Sequence, residues 1–587
     1  MSLLDDLRIE MQKYNITYYI VPTSDYHNSE YTASYFKSRE YLTNFKGSAG
    51  TLLVSMNQAF LWVDGRYYIQ AANEVDSKQI IIMKQGYQDT LNLIDFLKTK
   101  LTNNDILGFD GKVIPSSFVD KLNETFSFNV KIKSDLDLVN NIWKDRPSLP
   151  FSNIYLLDDI YSGMTYEEKL NNIKSKMTEY AANIHILSDL CDIAWILNLR
   201  GNDIERTPVF LSYLIIEDNN TILFVDELKI NKIIKKYLKD NKITIKSYDE
   251  FYSYISKYEK KDILIDKSRI NYEIFNKISS KNNIINKENP SLLLKSIKNK
   301  TEINNIIEAQ IKDGVSITKL MYLLKTTSNK EEYTEISIAN TLDKFRQKQE
   351  GFIDLSFDTI CAFNTNGAIV HYKANEETNL KVEGNGLLLL DTGAHYLEGT
   401  TDITRTFGIG KISDEMKTLY TNVLKAHIEL AMTKFIKGTT GSQLDAIARN
   451  ELWKQNQDYR HGTGHGVGYL LSVHEDPNRF SPKCYTEIKE GMITTNEPGL
   501  YIENKFGCRL ENELLCVKDT TNDFGEFLKF ETISYVPFDI DCIKPILLTK
   551  QEKEWINSYH ELVYKKLSKQ LTKPERDWLK ELCYPIK

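Results

Sequence analysis

Cysteine is scarce and unpatterned: seven residues (Cys191, Cys361, Cys484, Cys508, Cys516, Cys542 and Cys583) in a chain of 587, with no Cys-x-x-Cys pair. An odd count without paired spacing excludes a disulfide framework, so the thiols read as reduced and mostly buried. Long apolar runs are missing too, and no window offers the ~18 apolar residues of a membrane span. The opening "MSLLDDLRIEMQKYN" places acids where a signal peptide needs basic residues before an apolar stretch, which predicts a cytoplasmic protein that does not engage a membrane. Basic excess is absent as well. With 74 Lys and Arg against 81 Asp and Glu the net charge is -7, which excludes a nucleic-acid footprint. Lysine runs such as "NKIIKKYLKD" read as solvated helix faces. No P-loop and no Gly-x-Ser-x-Gly elbow occurs.

What remains is a globular composition, 41% apolar and 26% charged, on a chain long enough for two to four domains. The first half repeats itself. "YLTNFKGSAGTLLVSMNQAFLWVDGRY" (41–67) and "WILNLRGNDIERTPVFLSYLIIEDNNTILFVDELK" (195–229) both run Asn, apolar, basic, Gly, then strand, turn, strand and Val-Asp. The second carries an insertion near "ERTPVFLS". Two copies of one α/β unit are expected, and not a solenoid. "DRPSLP" (145–150) and "NKENPSLLLKSIKNKTE" (286–302) mark the joints, giving domains 1–148, 149–297 and 298–587.

The third domain should open on a long helix, because Ile303, Ile306, Ile307, Ile311, Val315, Ile317 and Leu320 recur at helical spacing. From 351 onward short strands and turns take over, making the overall class α/β and α+β. A helix starts at the N-cap Ser413 and carries Met416, Leu419, Val423, Leu424 and Ala431, with His427 an ordinary structural or exposed histidine. The last 40 residues read as one amphipathic helix with Trp555, Tyr559, Leu562 and Val563.

Chemistry concentrates in that third domain. "LLLLDTG" ends an apolar strand on Asp391, where a carboxylate is costly to bury unless a cation compensates it; a turn-initiating aspartate is the alternative. "EGTTDITRT" supplies Asp402, within hairpin reach. "TTNEPGLYIE" supplies Glu497, and "GCRLENELLCV" supplies Glu511 in a strand-like stretch with Arg509 on the same face.

"RHGTGHGVGYLLSVHE" (460–475) adds His461, His465 and His474, three of only nine histidines. Its glycines alternate strictly, so the dinucleotide fingerprint G-x-G-x-x-G fails; "HEDPN" lacks the second histidine of a zincin. Alternating glycines suggest instead a backbone in close approach to a neighbour while the histidines project. Two Asp, one His and two Glu form the donor mix of a two-metal carboxylate site.

"LLLLDTGAHYLEGTTDITRTF", "HGTGHGVGYLLSVHE", "TTNEPGLY" and "RLENE" together resemble the motifs of the pita-bread metallopeptidases. With "GSAGTLLV", "LWVDGRYYIQA", "DIAWILNLRG" and "PVFLSYLII", essentially the whole chain resembles their three-domain, cytosolic aminopeptidase P branch. The resemblance implies two creatinase-like α/β domains before a pita-bread catalytic domain. It also implies two divalent ions, manganese with zinc or cobalt as alternatives, on Asp391, Asp402, His465, Glu497 and Glu511. Asp402 and Glu511 would bridge the metals, with a hydroxide between them. Glu497 would act as general base, His371 and Arg66 would contact substrate, and His474 would lie near the scissile carbonyl or the proline side. His461 would stabilise the intermediate or relay protons, and Arg509 would orient the carboxylates.

The implied reaction releases an N-terminal residue from peptides with proline second, in a homodimer formed through the catalytic domain. Rival readings are a prolidase, a methionine aminopeptidase and a catalytically dead binding module. Length and the duplicated first half disfavour the first two; the intact donor set disfavours the third. His395 is expected to be an exposed turn residue without a role, and Cys361 and Cys508 buried thiols.

Overall fold

A computed structural model describes residues 2–327 and 333–587. No helix among the described residues is long and apolar enough to cross a membrane. The chain divides into two compact units: Met1–Asp159 with Met164–Leu292, and Ile160–Gly163 with Leu293–Lys587.

The first unit contains two six-stranded sheets built on one plan. In the first sheet Tyr18–Pro22 pairs antiparallel with Thr51–Ser55 and parallel with Ile106–Phe109; Thr51–Ser55 then pairs antiparallel with Ala59–Val63. In the second, Ile184–Leu187 pairs antiparallel with Ser212–Glu217 and parallel with Asp262–Ile265, and Ser212–Glu217 pairs antiparallel with Thr221–Val225. Ala59–Val63 and Thr221–Val225 are buried along their whole length, so they read as continuous apolar runs without alternation.

The asparagine shared by the two copies has a backbone reason. Asn44 (φ 59) and Asn198 (φ 50) each end a helix in the left-handed conformation, which Asn tolerates better than other residues with a Cβ.

In the second unit the expected long helix runs Lys300–Thr326, opened by an Asn299/Glu302 capping box. The helix Asp414–Met432 starts at Ser413, whose side chain accepts from the Met416 N–H. The C-terminal stretch is two helices and not one: Lys550–Leu567 and Lys573–Leu582. A new capping box at Thr572/Glu575, with proline in the first turn, restarts the chain.

A three-stranded sheet (Ile360–Phe363, Gly386–Thr392, Ile403–Ile409) and a six-stranded sheet (Lys434–Ile436, Gly525–Thr532, Asn512–Asn522, Ile493–Asn496, Gly464–Gly466, Glu475–Phe480) meet in this unit. The Glu511 N–H donates to Thr404 O (3.0 Å) and Thr406 Oγ1 to Arg509 O (3.0 Å), which ties the three-stranded sheet to the segment that leads into Asn512–Asn522.

His427 and His560 are fully buried here. Desolvation holds each pKa down at about 3, with the Arg405 charge adding to it. The unfolded chain, with histidine near 6.5, therefore binds these protons first. Their contribution to stability is complete above pH ~6.5 and is lost as pH falls toward about 3, at ~1.4 kcal/mol per pH unit per histidine. Urea unfolding at pH 7.5 and 5.0 should show His560→Gln losing less stability on acidification than the parent chain; an equal loss in both would refute the neutral, buried state of His560.

Candidate active site

Five side chains singled out in the sequence converge where the two sheets meet. Asp391 lies on the strand Gly386–Thr392, in register with Thr404 on Ile403–Ile409, and Asp402 immediately precedes that second strand. The two strands pair as a hairpin whose connection peels away into a smaller sheet with Phe352–Leu355. His465 sits on Gly464–Gly466, and Glu497 follows Ile493–Asn496 directly.

Glu511 departs from the strand expected for it. It lies in a two-residue break between Phe506–Arg509 and Asn512–Asn522, where the chain crosses from a two-stranded ribbon into the six-stranded sheet. Apolar flanks conceal such a break, because both sides of it are buried.

The glycines act sterically. A Cβ on Gly464 would lie 1.7 Å from Thr495 O, and one on Gly466 would lie 2.4 Å from Glu475 O. Only glycine lets His465 come this close to the strand leading to Glu497.

His465 Nδ1 faces the Gly466 carbonyl (2.8 Å), so Nδ1 carries the proton and the Nε2 lone pair is the coordinating one. Nε2 stands 3.4 Å from Asp402 Oδ2 and 3.6 Å from Glu497 Oε1. Two donors on one cation, each ~2.1 Å from it, stand ~3 Å apart, so these gaps suit a shared ion better than a direct hydrogen bond. Donor atoms of Asp402, His465 and Glu511 all lie within 4.8 Å of one another.

Burial pushes Asp402 and Glu511 well above the usual carboxylate range, and their negative neighbours, including Asp391 and Glu497, push them further. Asp391 Oδ1 is buried and accepts no hydrogen bond among the described residues. A buried acidic cluster of this kind fits divalent cations: oxygen donors, one imidazole and surplus negative charge.

Arg509 is the basic partner of the cluster, its Nη2 donating to Asp391 Oδ2 (2.5 Å). Its Nη1 donates to the Tyr501 hydroxyl (2.7 Å), which lies 2.8 Å from His461 Nε2. His461 Nδ1 faces Gly462 O (2.7 Å) and so is protonated, leaving Nε2 to accept from Tyr501. His474 is half-buried, its ring edge-on to His465 with centroids 4.2 Å apart. The neighbouring Glu475 is pinned by the buried Lys298. His371 follows Val370, whose carbonyl accepts from Arg509 Nη2 (3.3 Å). Arg66 belongs to the first unit, where Asp64 grips its guanidinium in a fork (2.9 and 2.8 Å).

His395 is corrected by the structure. It is buried on the strand Ala394–Tyr396, with Nδ1 3.0 Å from Thr400 Oγ1, because the small sheet covers the turn expected to be exposed.

Sequence reading missed several supporting groups. Tyr501 is one. Glu513, pushed up to about 8 by burial, accepts the Asp402 N–H (2.9 Å). Arg405 binds the Glu511 carbonyl. An "ENE" pair of glutamates two apart was the available signal for Glu513; nothing local marks Arg405.

A model for metallopeptidase family M24 matches residues 304–518, and one for its C-terminal region matches 526–586. Creatinase/prolidase N-terminal domain models match 4–141 and 145–302. The Xaa-Pro aminopeptidase 1 of Dictyostelium discoideum is 37% identical over 99% of this chain and 96% of its own. The chain belongs to the M24 metallopeptidases. Its architecture is the family's, two creatinase-type α/β domains followed by an M24 pita-bread domain. An X-prolyl aminopeptidase from Caenorhabditis elegans, described as a cytosolic enzyme with a di-nuclear active site, superposes on this M24 chain with a TM-score of 0.94 at 32% identity, covering 100% of both. A prolidase from Thermococcus sibiricus reaches a TM-score of 0.52 at 25% identity, over 64% of this chain and 98% of its own.

Proposed function

We propose that this M24 chain is an Xaa-Pro aminopeptidase, a metal-dependent exopeptidase that cleaves the bond between an N-terminal residue and a following proline. The observation that carries the reading is the convergence of the buried Asp391, Asp402, His465 and Glu511 with the half-buried Glu497 in a chain similar over its full length to Xaa-Pro aminopeptidases. In this reading those five side chains would hold two divalent ions, manganese with zinc or cobalt as alternatives. Bound there, two divalent cations acidify water and polarise a carbonyl, giving hydrolysis at neutral pH.

The chain's own groups do the rest. Glu497, the most exposed of the acidic donors at 18%, accepts the proton of the attacking water. His474 donates a hydrogen bond to the oxygen of the scissile carbonyl as charge develops on it. His461, linked through the Tyr501 hydroxyl to Arg509, steadies the intermediate or passes a proton. His371 and Arg66 contact the substrate, and Arg509 aims Asp391. A prolyl bond has no N–H and a fixed φ, so recognition rests on the free amine and the ring.

The same proposal includes the division into domains 1–148, 149–297 and 298–587, supported by the two like-ordered sheets. It also includes a cytoplasmic homodimer formed through the catalytic domain, which the description of the Caenorhabditis elegans enzyme as cytosolic supports for the compartment.

Incubation with Mn²⁺ and product analysis on Arg-Pro-Pro, Ala-Pro and Met-Ala-Ser tests the activity. Release of Arg from the tripeptide with little turnover of Ala-Pro is expected. The reverse preference would make the protein a prolidase, and cleavage of Met-Ala-Ser alone a methionine aminopeptidase.

A further inference from the structure

Next to the acidic cluster lies a buried ion pair that the reaction does not use. Arg346, the last residue of the helix Glu335–Arg346, forks onto Asp313 of the helix Lys300–Thr326: Nε donates to Oδ1 (2.6 Å) and Nη2 to Oδ2 (2.9 Å). The side chains are 0% and 2% exposed. Taking two charges out of water is expensive, and well-packed apolar residues often fill such a place with no loss of stability. What an apolar pair could not do is bind the neighbours this pair binds.

Those neighbours are Thr392 and Thr401. Arg346 Nη1 donates to Thr392 Oγ1, and Thr401 Oγ1 donates to Asp313 Oδ2 (2.8 Å). Thr392 directly follows Asp391, and as the next residue of the same strand it faces the opposite side. Thr401 directly precedes Asp402. Tyr396, on the strand Ala394–Tyr396 between them, donates its hydroxyl to Asp313 Oδ1 (3.3 Å).

The excursion from Asp391 to Asp402 is therefore gripped at both ends by one rigid fork. The grip is tight: Ser356 Oγ donates to Thr401 O (2.9 Å), and a Cβ on Gly393 would lie 2.0 Å from the same oxygen.

We infer that Asp313 and Arg346 are positioning residues which set the spacing of Asp391 and Asp402 and thereby the affinity of the site for its two metal ions. The inference rests on the two-metal reading above. Groups that orient metal ligands from behind typically cost ~10–100-fold in affinity when removed.

The test is calorimetric titration of the metal-stripped, full-length chain with Mn²⁺. The parent should bind two equivalents. The double variant Asp313→Leu/Arg346→Met should keep its far-ultraviolet circular dichroism, bind Mn²⁺ at least ~10-fold more weakly, and lose kcat with little change in KM at saturating metal. Thr392→Val and Thr401→Val each remove one hydroxyl at nearly constant volume. They should weaken binding about threefold or more, and they decide the matter if the double variant does not fold. Parent-like affinity in both threonine variants would overturn the inference while leaving the two-metal reading intact. A parent chain that binds no Mn²⁺ would overturn both.

Discussion

His474→Ala is expected to retain both metal ions and lose about 10²–10³-fold in kcat, whereas His465→Ala loses metal and with it all turnover. The two rings meet edge to face, with centroids 4.2 Å apart, so proximity does not distinguish them. Hydrogen bonding does. His465 fixes its tautomer on the Gly466 carbonyl and turns Nε2 toward Asp402 and Glu497. His474 lies at the half-exposed side, next to a glutamate anchored on Lys298. Metal analysis of each purified variant, alongside steady-state kinetics, checks the division of roles; equal loss of metal from both would show the assignment to be wrong.

Arg405→Met should be the most destabilising substitution near the site. The Arg405 side chain, 1% exposed, donates through Nη1 to the carbonyls of Glu511 (2.6 Å) and Thr404 (2.8 Å). Its Nη2 donates to Val536 O (2.7 Å), Asn512 Oδ1 (2.8 Å) and the Tyr559 hydroxyl (2.8 Å), while the guanidinium carbon lies 4.3 Å from the Phe538 ring centroid. It ties the strand behind Asp402, the break that carries Glu511 and the C-terminal helix Lys550–Leu567 to one another. Methionine fills part of the volume and leaves several buried acceptors unsatisfied, at ~1–3 kcal/mol each, so a loss of at least ~4 kcal/mol is expected. Urea unfolding of the metal-free chain measures it. Arg405→Lys should recover less than half, because a point charge cannot reproduce the fork. A change below ~1 kcal/mol in the methionine variant would show that the network contributes little.

These expectations divide along a line that runs through the chain itself. The repeated Asn, basic, Gly, strand, turn, strand pattern is a local signal, since each element in it answers to its own neighbours: Asn44 and Asn198 to a left-handed helix end, the apolar runs to burial on both faces. The helix beginning at Ser413 and the long helix from Lys300 were legible for the same reason, as caps and periodicity act within a few residues. The acidic and imidazole donors could be picked out because a carboxylate after four leucines, or histidines among alternating glycines, makes poor sense without a cation or a close neighbour.

Other features depend on partners distant in sequence. His395 looked like an exposed turn until the small sheet with Phe352–Leu355 covered it. Glu511 looked like a strand residue, because a break between two buried strands has no polar punctuation. Arg405 binds Glu511, Asn512, Val536 and Tyr559, residues more than 100 positions away, and Arg346 reaches Asp313 and Thr392 across two helices and a sheet. By itself, then, the sequence determined the duplicated α/β half, the caps, the glycine-lined histidine strand and which acidic and imidazole side chains stand out as donors. Only the tertiary structure decided which buried basic side chains and hydroxyls bind around those donors, because a long-range hydrogen bond leaves no local pattern at either of its ends.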